Sequence, residues 1–173
     1  AGMGLSCICL HPPGPDSEAY YQVSLTREET GAIIVPDLPL RLEPATTALK
    51  SMIADGSLGR PRNVRIELFQ NAKFSISAVE EASRVVDLAR SLMGDFKSVW
   101  AISQTSRGTS PGDLHVYLAI PMGSNAEIII RQPDSLNDKI SVQVNGDFGS
   151  ANAELHDPLA SESRLTVSTD KPK

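Results

Sequence analysis

The sequence predicts an α+β fold in which a mostly antiparallel, open sheet carries helices packed on one face. Three observations predict it. Short apolar runs alternate with helical segments in the first half of the chain. The clearest helix, residues 77–93, has one apolar stripe at helical spacing. The second half contains four segments in which apolar and polar residues alternate, as in strands buried on one face only.

The composition excludes several classes of protein. A chain of 173 residues suits one domain, or one domain and a small part of another. No stretch reaches the roughly 18 apolar residues of a membrane-spanning helix. A net charge of −5 and 5% aromatic residues argue against a nucleic-acid binder, which would show a basic face and stacking aromatics. Two cysteines cannot staple a chain of this length, which favours the reducing cytoplasm.

The first half of the chain is predicted to contain strands and helices in alternation. Residues 5–10 form an apolar run that predicts a buried strand, stopped by the proline-rich turn after it. Residues 18–30 have helical composition and end at a glycine. Residues 32–35 predict a second buried strand, residues 45–55 a helix with recurring apolar positions, and residues 63–69 a third strand.

The second half is predicted to supply the antiparallel sheet. Helix 77–93 begins with a capping box and ends just before a glycine. Glycine and proline turn signals separate the alternating segments that follow, which predict strands at residues 97–106, 113–120, 126–132 and 139–145. The tail from Ser161 onward is polar and is predicted to fray.

Four short motifs occur in a fixed order along the chain. They are ALKSMIADGSLGRPRNVR at 48–65, DLARSLMG at 87–94, VWA at 99–101 and NGDFG at 145–149. In this order they resemble the Gfo/Idh/MocA family of NAD(P)-dependent oxidoreductases, in which the first motif joins a Rossmann domain to a C-terminal α/β domain. The resemblance covers roughly residues 5 to 156. It implies a small-molecule, sugar-like substrate.

The family's dinucleotide-binding fingerprint, G-x-G-x-x-G between a strand and a helix, is absent. The resemblance therefore implies the C-terminal portion of a longer protein. Residues 1–30 would be the remnant of a Rossmann-type domain, residues 31–160 the substrate and oligomerisation domain, and residues 161–173 a polar tail. No cofactor is expected on this chain, and NAD or NADP is implied for the full-length protein. This chain alone is expected to be inactive.

The resemblance also points to candidate site residues, at positions where this sequence departs from the family. Leu10-His11-Pro12 stands in register with an E-K-P motif whose lysine lies near the nicotinamide, so His11 replaces that lysine. A D-x-x-x-H motif on the third helix becomes Glu80 and Arg84. An arginine stays protonated and cannot act as the general base. Glu80 and Arg84 are therefore candidate catalytic residues without the usual chemistry, and His11 is a candidate for substrate binding.

Each of these residues also has a simpler interpretation. His11 is explained as a loop histidine before a run of prolines. Glu80 is explained by its capping-box spacing from Ser77. Arg84 is explained as a solvated helix residue, whereas its functional interpretation is a clamp for an anionic substrate or a cofactor phosphate.

Two further features admit both a site and an ordinary role. Arg41 matches a family position near the active-site cleft, which makes it a candidate for substrate binding. The alternative is an ion pair with Glu43. Cys7-x-Cys9-x-His11 has zinc-binding residue types, but strand positions two apart are about 6.6–6.8 Å from each other along the strand and converge poorly. Buried cysteines are the better interpretation, and no metal site is predicted.

The polar face of the predicted sheet is a candidate interface. Alternation places Tyr117, Ile129 and Arg131 on this face, with Trp100 on an earlier strand. Tryptophan, tyrosine and arginine are favoured at interface centres, and the resembling family pairs there. We therefore expect a homo-oligomer. The function implied is a C-terminal domain that forms the substrate cleft wall and the oligomer interface. The alternative is a non-catalytic binding or scaffolding protein derived from that family.

Overall fold

A computed structural model describes residues 6–10, 17–69, 78–103, 113–131, 139–156 and 163–169 of the chain. Within these ranges the helices and strands follow one another in the order β1 Cys7–Leu10, α1 Ser17–Thr30, β2 Ile34–Asp37, α2 Pro44–Ala54, β3 Pro61–Phe69, α3 Ala78–Met93, β4 Ser98–Ser103, β5 Leu114–Ala119, β6 Asn125–Arg131, β7 Lys139–Gly146, β8 Gly149–His156 and β9 Arg164–Thr169. Short 3-10 helices lie at Pro39–Arg41 and Pro121–Gly123. No helix in these ranges is long and apolar enough to cross a membrane.

The chain divides into two compact units, Ala1–Pro39 and Leu40–Lys173. The sequence places this boundary near residue 30, before β2. In the structure β2 pairs in parallel with β1, and that pairing keeps it in the first unit. Helix α1 connects the two strands and buries none of its own residues.

The two strands of the first unit are not buried as the sequence predicts. Ile8, Ile33 and Val35 are exposed, and so is Cys7, which corrects the interpretation of buried cysteines. The physical reason is the sheet. Within the described residues β1 and β2 pair only with each other, so apolar side chains on this two-stranded sheet lack the cover that flanking strands and helices give.

The second unit confirms the predicted fold class. Its seven strands lie in the order β4-β5-β6-β3-β7-β8-β9, and every neighbouring pair is antiparallel except β3 with β6. Helix α2 packs on β8 and β9, and α3 packs on β3 and β6. Both helices share one core with the same face of the sheet.

The core follows from the two periodicities seen in the sequence. Side chains of a strand alternate between faces, and those of a helix recur every three or four residues. On β3, Val64, Ile66 and Leu68 point to the helices, and the residues between them point away. Fully buried members of this core include Leu49, Leu58, Val64, Ile66, Val85, Leu88, Ala89, Ile128, Ile130, Val142, Val144 and Ala153.

Two strands lie where the sequence predicts none. Strand β8 contributes Ala151, Ala153 and Leu155 to the core, but two alanines give a weak apolar signal. Strand β9 occupies part of the tail from Ser161, for which the sequence predicts fraying. It is polar and mostly exposed because it is an edge strand, held by its pairing with β8.

Two of the resembling motifs meet in space. The N–H groups of Phe148 and Asp147, in the β7–β8 turn, donate hydrogen bonds of 2.9 and 3.2 Å to the carbonyl oxygens of Leu58 and Arg60. The backbones approach so closely that a Cβ atom on Gly146 would overlap the Leu58 carbonyl oxygen. Gly146, the first glycine of the NGDFG motif, is therefore required by packing, which gives this motif a structural role.

Candidate functional site

The structure describes the predicted site residues to different extents. His11 lies outside the described residues. Glu80 lies in the first turn of α3, and its side chain is outside the description. Arg84 follows one turn later on α3, and Arg41 ends the 3-10 helix that precedes α2.

Arg41 is held by a carboxylate on α3. Its Nε donates a 2.6 Å hydrogen bond to Oδ2 of Asp87, and its Nη2 donates a second hydrogen bond to Oδ1. The pair is bidentate, the strongest arrangement for arginine and carboxylate. The hydrogen bonds to Asp87 raise the pKa of Arg41 further above its ordinary value, so the guanidinium stays charged at every physiological pH.

This arrangement replaces the ion pair with Glu43 that sequence proximity suggests for Arg41. Glu43 instead accepts a 2.9 Å hydrogen bond from the hydroxyl of Ser163, just before β9. The sequence does not indicate Asp87 as the partner of Arg41, because it lies 46 residues away and only packing brings the two together.

Arg84 lies on the same helix, three residues before Asp87. Its Nη1 is 3.6 Å from Oε1 of Glu81, which is one helical turn away and largely buried. Glu81, Arg84 and Asp87 follow one another at intervals of three residues, so each lies about one helical turn from the next. We call Arg41, Glu81, Arg84 and Asp87 the α3 charge cluster.

The α3 charge cluster combines two guanidinium groups with two carboxylates. Arginine presents several N–H donors in a fixed plane and holds its proton, so the cluster can bind carboxylates, phosphates or hydroxyl groups but cannot remove a proton through its arginines. Both arginine side chains are partly exposed, whereas Asp87 and Glu81 are mostly buried. In the described ranges, no three His, Cys, Asp or Glu side chains are placed to hold a metal ion.

The Arg41–Asp87 pair is expected to contribute measurably to stability. Asp87→Asn removes the charge from a bidentate, half-buried pair and should lower the free energy of unfolding by about 1 kcal/mol. Urea unfolding followed by circular dichroism measures this. Asp95→Asn is the matched control, because its pair with Arg90 is exposed on both sides and should change stability by less than about 0.3 kcal/mol. Equal losses in the two variants would contradict the assignment.

The first unit carries a feature of its own, a shallow depression of about 400 Å³. It is lined by Arg27 of α1 and by residues 31–35, which lead into β2. Its walls are apolar side chains beside one arginine. No residue predicted from the sequence as a site residue lies in its lining.

The second predicted region is the sheet face away from the helices, here called the open face. Glu127 on β6 lies opposite Arg65 of β3 on one side and Tyr117 of β5 on the other, and Arg65 donates hydrogen bonds of 2.9 and 2.6 Å to Glu67. The pKa of Arg65 is raised, chiefly by its hydrogen bond to Glu67. The open face therefore carries a network of paired charges at its centre.

The three residues predicted to centre an interface share this face but differ in exposure. Tyr117 is 39% exposed and Ile129 only 2%. In register, Ile129 lies between His115 and Glu67, so the neighbouring strands already surround it. The guanidinium of Arg131 is 5.7 Å from the Phe69 ring centroid.

Comparison of the folds relates the chain to solved oxidoreductases. A structure of the WlbA dehydrogenase from Chromobacterium violaceum with NADH and UDP-GlcNAcA is similar over 98% of this chain and 54% of its own, with a TM-score of 0.77 and 15% identity. An oxidoreductase from Magnetospirillum magnetotacticum is similar over 98% of this chain and 55% of its own, with a TM-score of 0.76 and 21% identity. Levoglucosan dehydrogenase is similar over 96% of this chain and 55% of its own, with a TM-score of 0.74 and 17% identity. This chain has the same fold as about half of each of these oxidoreductases.

The resemblance seen in the four motifs is thus confirmed at the level of the fold. The chain spans about half the length of the solved oxidoreductases that it matches, and its α+β sheet corresponds to their C-terminal domains. No protein-family model matches the sequence, and no curated protein matches it. Sequence identity to these solved structures is only 13–21%, so the similarity is detected by comparing the folds.

Proposed function

We propose that this chain is the C-terminal, substrate-side part of an NAD(P)-dependent oxidoreductase acting on a small polar, sugar-like molecule. One observation carries the proposal. Nearly the whole chain superposes on about half of several oxidoreductases, including one whose structure contains NAD⁺ and one that contains NADH. In this proposal the second unit supplies a wall of the substrate cleft, and residues elsewhere in the longer protein bind the dinucleotide.

The α3 charge cluster is the proposed substrate-facing element. Arg84 binds hydroxyl or anionic groups of the substrate through its exposed N–H donors. Arg41 acts with it as a second donor, oriented by Asp87. Glu80 is the remaining carboxylate candidate for the proton that leaves an alcohol as it is oxidised, and His11 is a candidate for binding the substrate.

The residues of this chain do not fit a dinucleotide by themselves. Between β1 and α1 the sequence has one glycine, Gly14, where a pyrophosphate-binding loop uses several to let backbone N–H groups approach. When bound elsewhere in the full protein, the cofactor would accept or donate the hydride. No step through it is assigned to the residues of this chain.

A cofactor titration tests the proposal. We expect the full-length gene product to bind NADH or NADPH with micromolar affinity, and the 173-residue chain to bind neither. Calorimetry measures both. Binding by the 173-residue chain alone would contradict the proposal that residues elsewhere in the longer protein bind the dinucleotide. Failure of the full-length product to bind would contradict the oxidoreductase function.

A non-catalytic binding or scaffolding protein is the second candidate. One observation favours it. Where the resemblance calls for a histidine that titrates near neutrality, the chain has Arg84, paired with Glu81. In that case a sugar-like ligand would still bind at the α3 charge cluster, without turnover. Cofactor binding without oxidation of any sugar or polyol would support this candidate.

We also propose that the open face pairs with a second copy of the chain. Tyr117 and Arg131 are partly exposed there and are the residue types that interface centres favour. Light scattering at high micromolar concentration should report an oligomer that Tyr117→Asp weakens. The matched control is Tyr21→Asp, because Tyr21 is an exposed tyrosine on α1, outside the open face. An oligomer equally resistant to both changes would contradict pairing through this face.

A further inference from the structure

The two edge strands of the seven-stranded sheet differ in character. Among the residues that the structure describes, strands β4 and β9 end the sheet on opposite sides, and both have six residues. An edge strand presents unpaired N–H and C=O groups, and proteins protect such edges with charges, proline or short length. Strand β9 begins with Arg164, and a lysine, a proline and a second lysine follow at 171–173. Strand β4 contains no charge and no proline.

Strand β4 is also apolar and exposed on both of its faces. Val99 on the helix side is 57% exposed, and Trp100 and Ile102 on the open face are 57% and 58% exposed. Large apolar side chains clustered on one strand mark an interaction site, since isolated ones are ordinary but contiguous ones are not. The pattern is typical of a strand covered on its faces and paired along its edge.

We propose that β4 pairs antiparallel with β4 of a second copy of this chain, joining two seven-stranded sheets into one. The two-fold axis would be perpendicular to the sheet, which keeps each face on its own side. With the axis at Ala101, Trp100 lies opposite Ile102 of the second copy, and the reverse. Aromatic and β-branched residues are favourable cross-strand partners. This contact uses the strand edge, and it does not depend on the oxidoreductase function.

Charge and symmetry select a second copy as the occupant. A neutral strand meets its own copy without like charges in opposition. The two-fold contact gives a closed dimer, because each β4 edge is paired with the other and no edge of β4 is left for a third molecule. The alternative head-to-tail contact, β4 against β9 of the next molecule, would add molecules without limit, and it would place charged Arg164 in an otherwise neutral, apolar edge contact.

A cysteine at the symmetry axis tests both the contact and its register. Ala101 is exposed, so Ala101→Cys is accommodated, and Cys7→Ser with Cys9→Ser removes the native thiols. Directly opposite antiparallel residues have Cα atoms about 4.5–5.5 Å apart, within disulfide range. We expect a cross-linked dimer on mild oxidation, seen by non-reducing electrophoresis. Pairing should make it form on the order of ten times faster than by collision, because paired thiols have a millimolar effective concentration.

Two matched variants complete the experiment in the same background. Val99→Cys lies on the same strand and face, but in this register its copy is about 14 Å away and should not cross-link. Val167→Cys places the thiol on the opposite edge strand, β9. Circular dichroism confirms that each variant is folded. If Ala101→Cys is folded and cross-links no faster than either control, β4 does not pair as proposed.

A charge on the edge gives an independent measurement. Val99→Lys should halve the mass of the oligomer in sedimentation velocity, because a lysine on an edge strand blocks pairing along that edge and leaves the open face unchanged. Tyr117→Asp should leave the Ala101→Cys cross-link intact, since Tyr117 lies on β5 and not on the edge. Loss of the cross-link in Tyr117→Asp would assign the association to the open face and would overturn the edge contact.

Discussion

Gly146→Ala is expected to lower the free energy of unfolding by about 3 kcal/mol, near the upper end of the effects of single substitutions. The new Cβ would overlap the carbonyl oxygen of Leu58, and backbone atoms cannot rotate away as a flexible side chain would. Relief requires moving the turn at Leu58 or the β7–β8 turn, and either motion breaks the hydrogen bond from Phe148 N–H to Leu58. Urea unfolding monitored by circular dichroism measures the loss.

Gly56→Ala is the control for this experiment. Gly56 has a φ of 73°, which an alanine adopts at a cost of about 1–2 kcal/mol, and a Cβ there meets open space. It therefore reports backbone strain without a clash. If Gly56→Ala proves as damaging as Gly146→Ala, the close approach of the two motifs is not what requires a glycine at 146.

Ile128→Ala is expected to cost about 4 kcal/mol and Ile129→Ala about 2 kcal/mol, although both side chains are buried. Ile128 belongs to the core between sheet and helices, where close-packed neighbours cannot fill a cavity. Ile129 faces the other way, between His115 and Glu67. The polar side chains of His115 and Glu67 can move into the space left by the shorter alanine side chain, so the cavity and its cost are smaller.

Thermal and urea unfolding of the two variants give these values, and the comparison is internal because the substitution and the strand are the same. Equal losses would show that the open face packs as tightly as the helix side. In that case the open face would be a second core and not a surface available to a partner.

Periodicity explains which features of the fold the sequence predicts well. The apolar stripe of α3 and the alternation in β3, β5, β6 and β7 are local patterns, and they specify both the elements and the face that each buries. The same alternation is sufficient to assign Tyr117, Ile129 and Arg131 to one face of the sheet. Strands β8 and β9 escape prediction because alanine, threonine and serine give little apolar contrast.

Burial and pairing across the fold cannot be predicted in the same way. Ile8 and Val35 occur in apolar runs, but whether they are buried depends on strands beside them. Sequence proximity suggests Glu43 as the partner of Arg41, whereas the structure pairs it with Asp87, because the sequence does not state which helix packs beside which loop. Glu80 and His11 are suggested by the resemblance alone, and they stay predictions.

The central strand β3 finds both of its neighbours far along the chain. Asn63 contacts Asn125, 62 residues later, and Asn145, 82 residues later. A chain emerging from the ribosome must therefore wait for more than half of the domain before its middle strand is paired on either side. Non-local pairing of this kind slows folding, and we expect refolding on the millisecond-to-second scale. Helices α2 and α3 are synthesised before the sheet that covers their apolar sides, so the nascent chain has to protect those sides from other chains in the meantime.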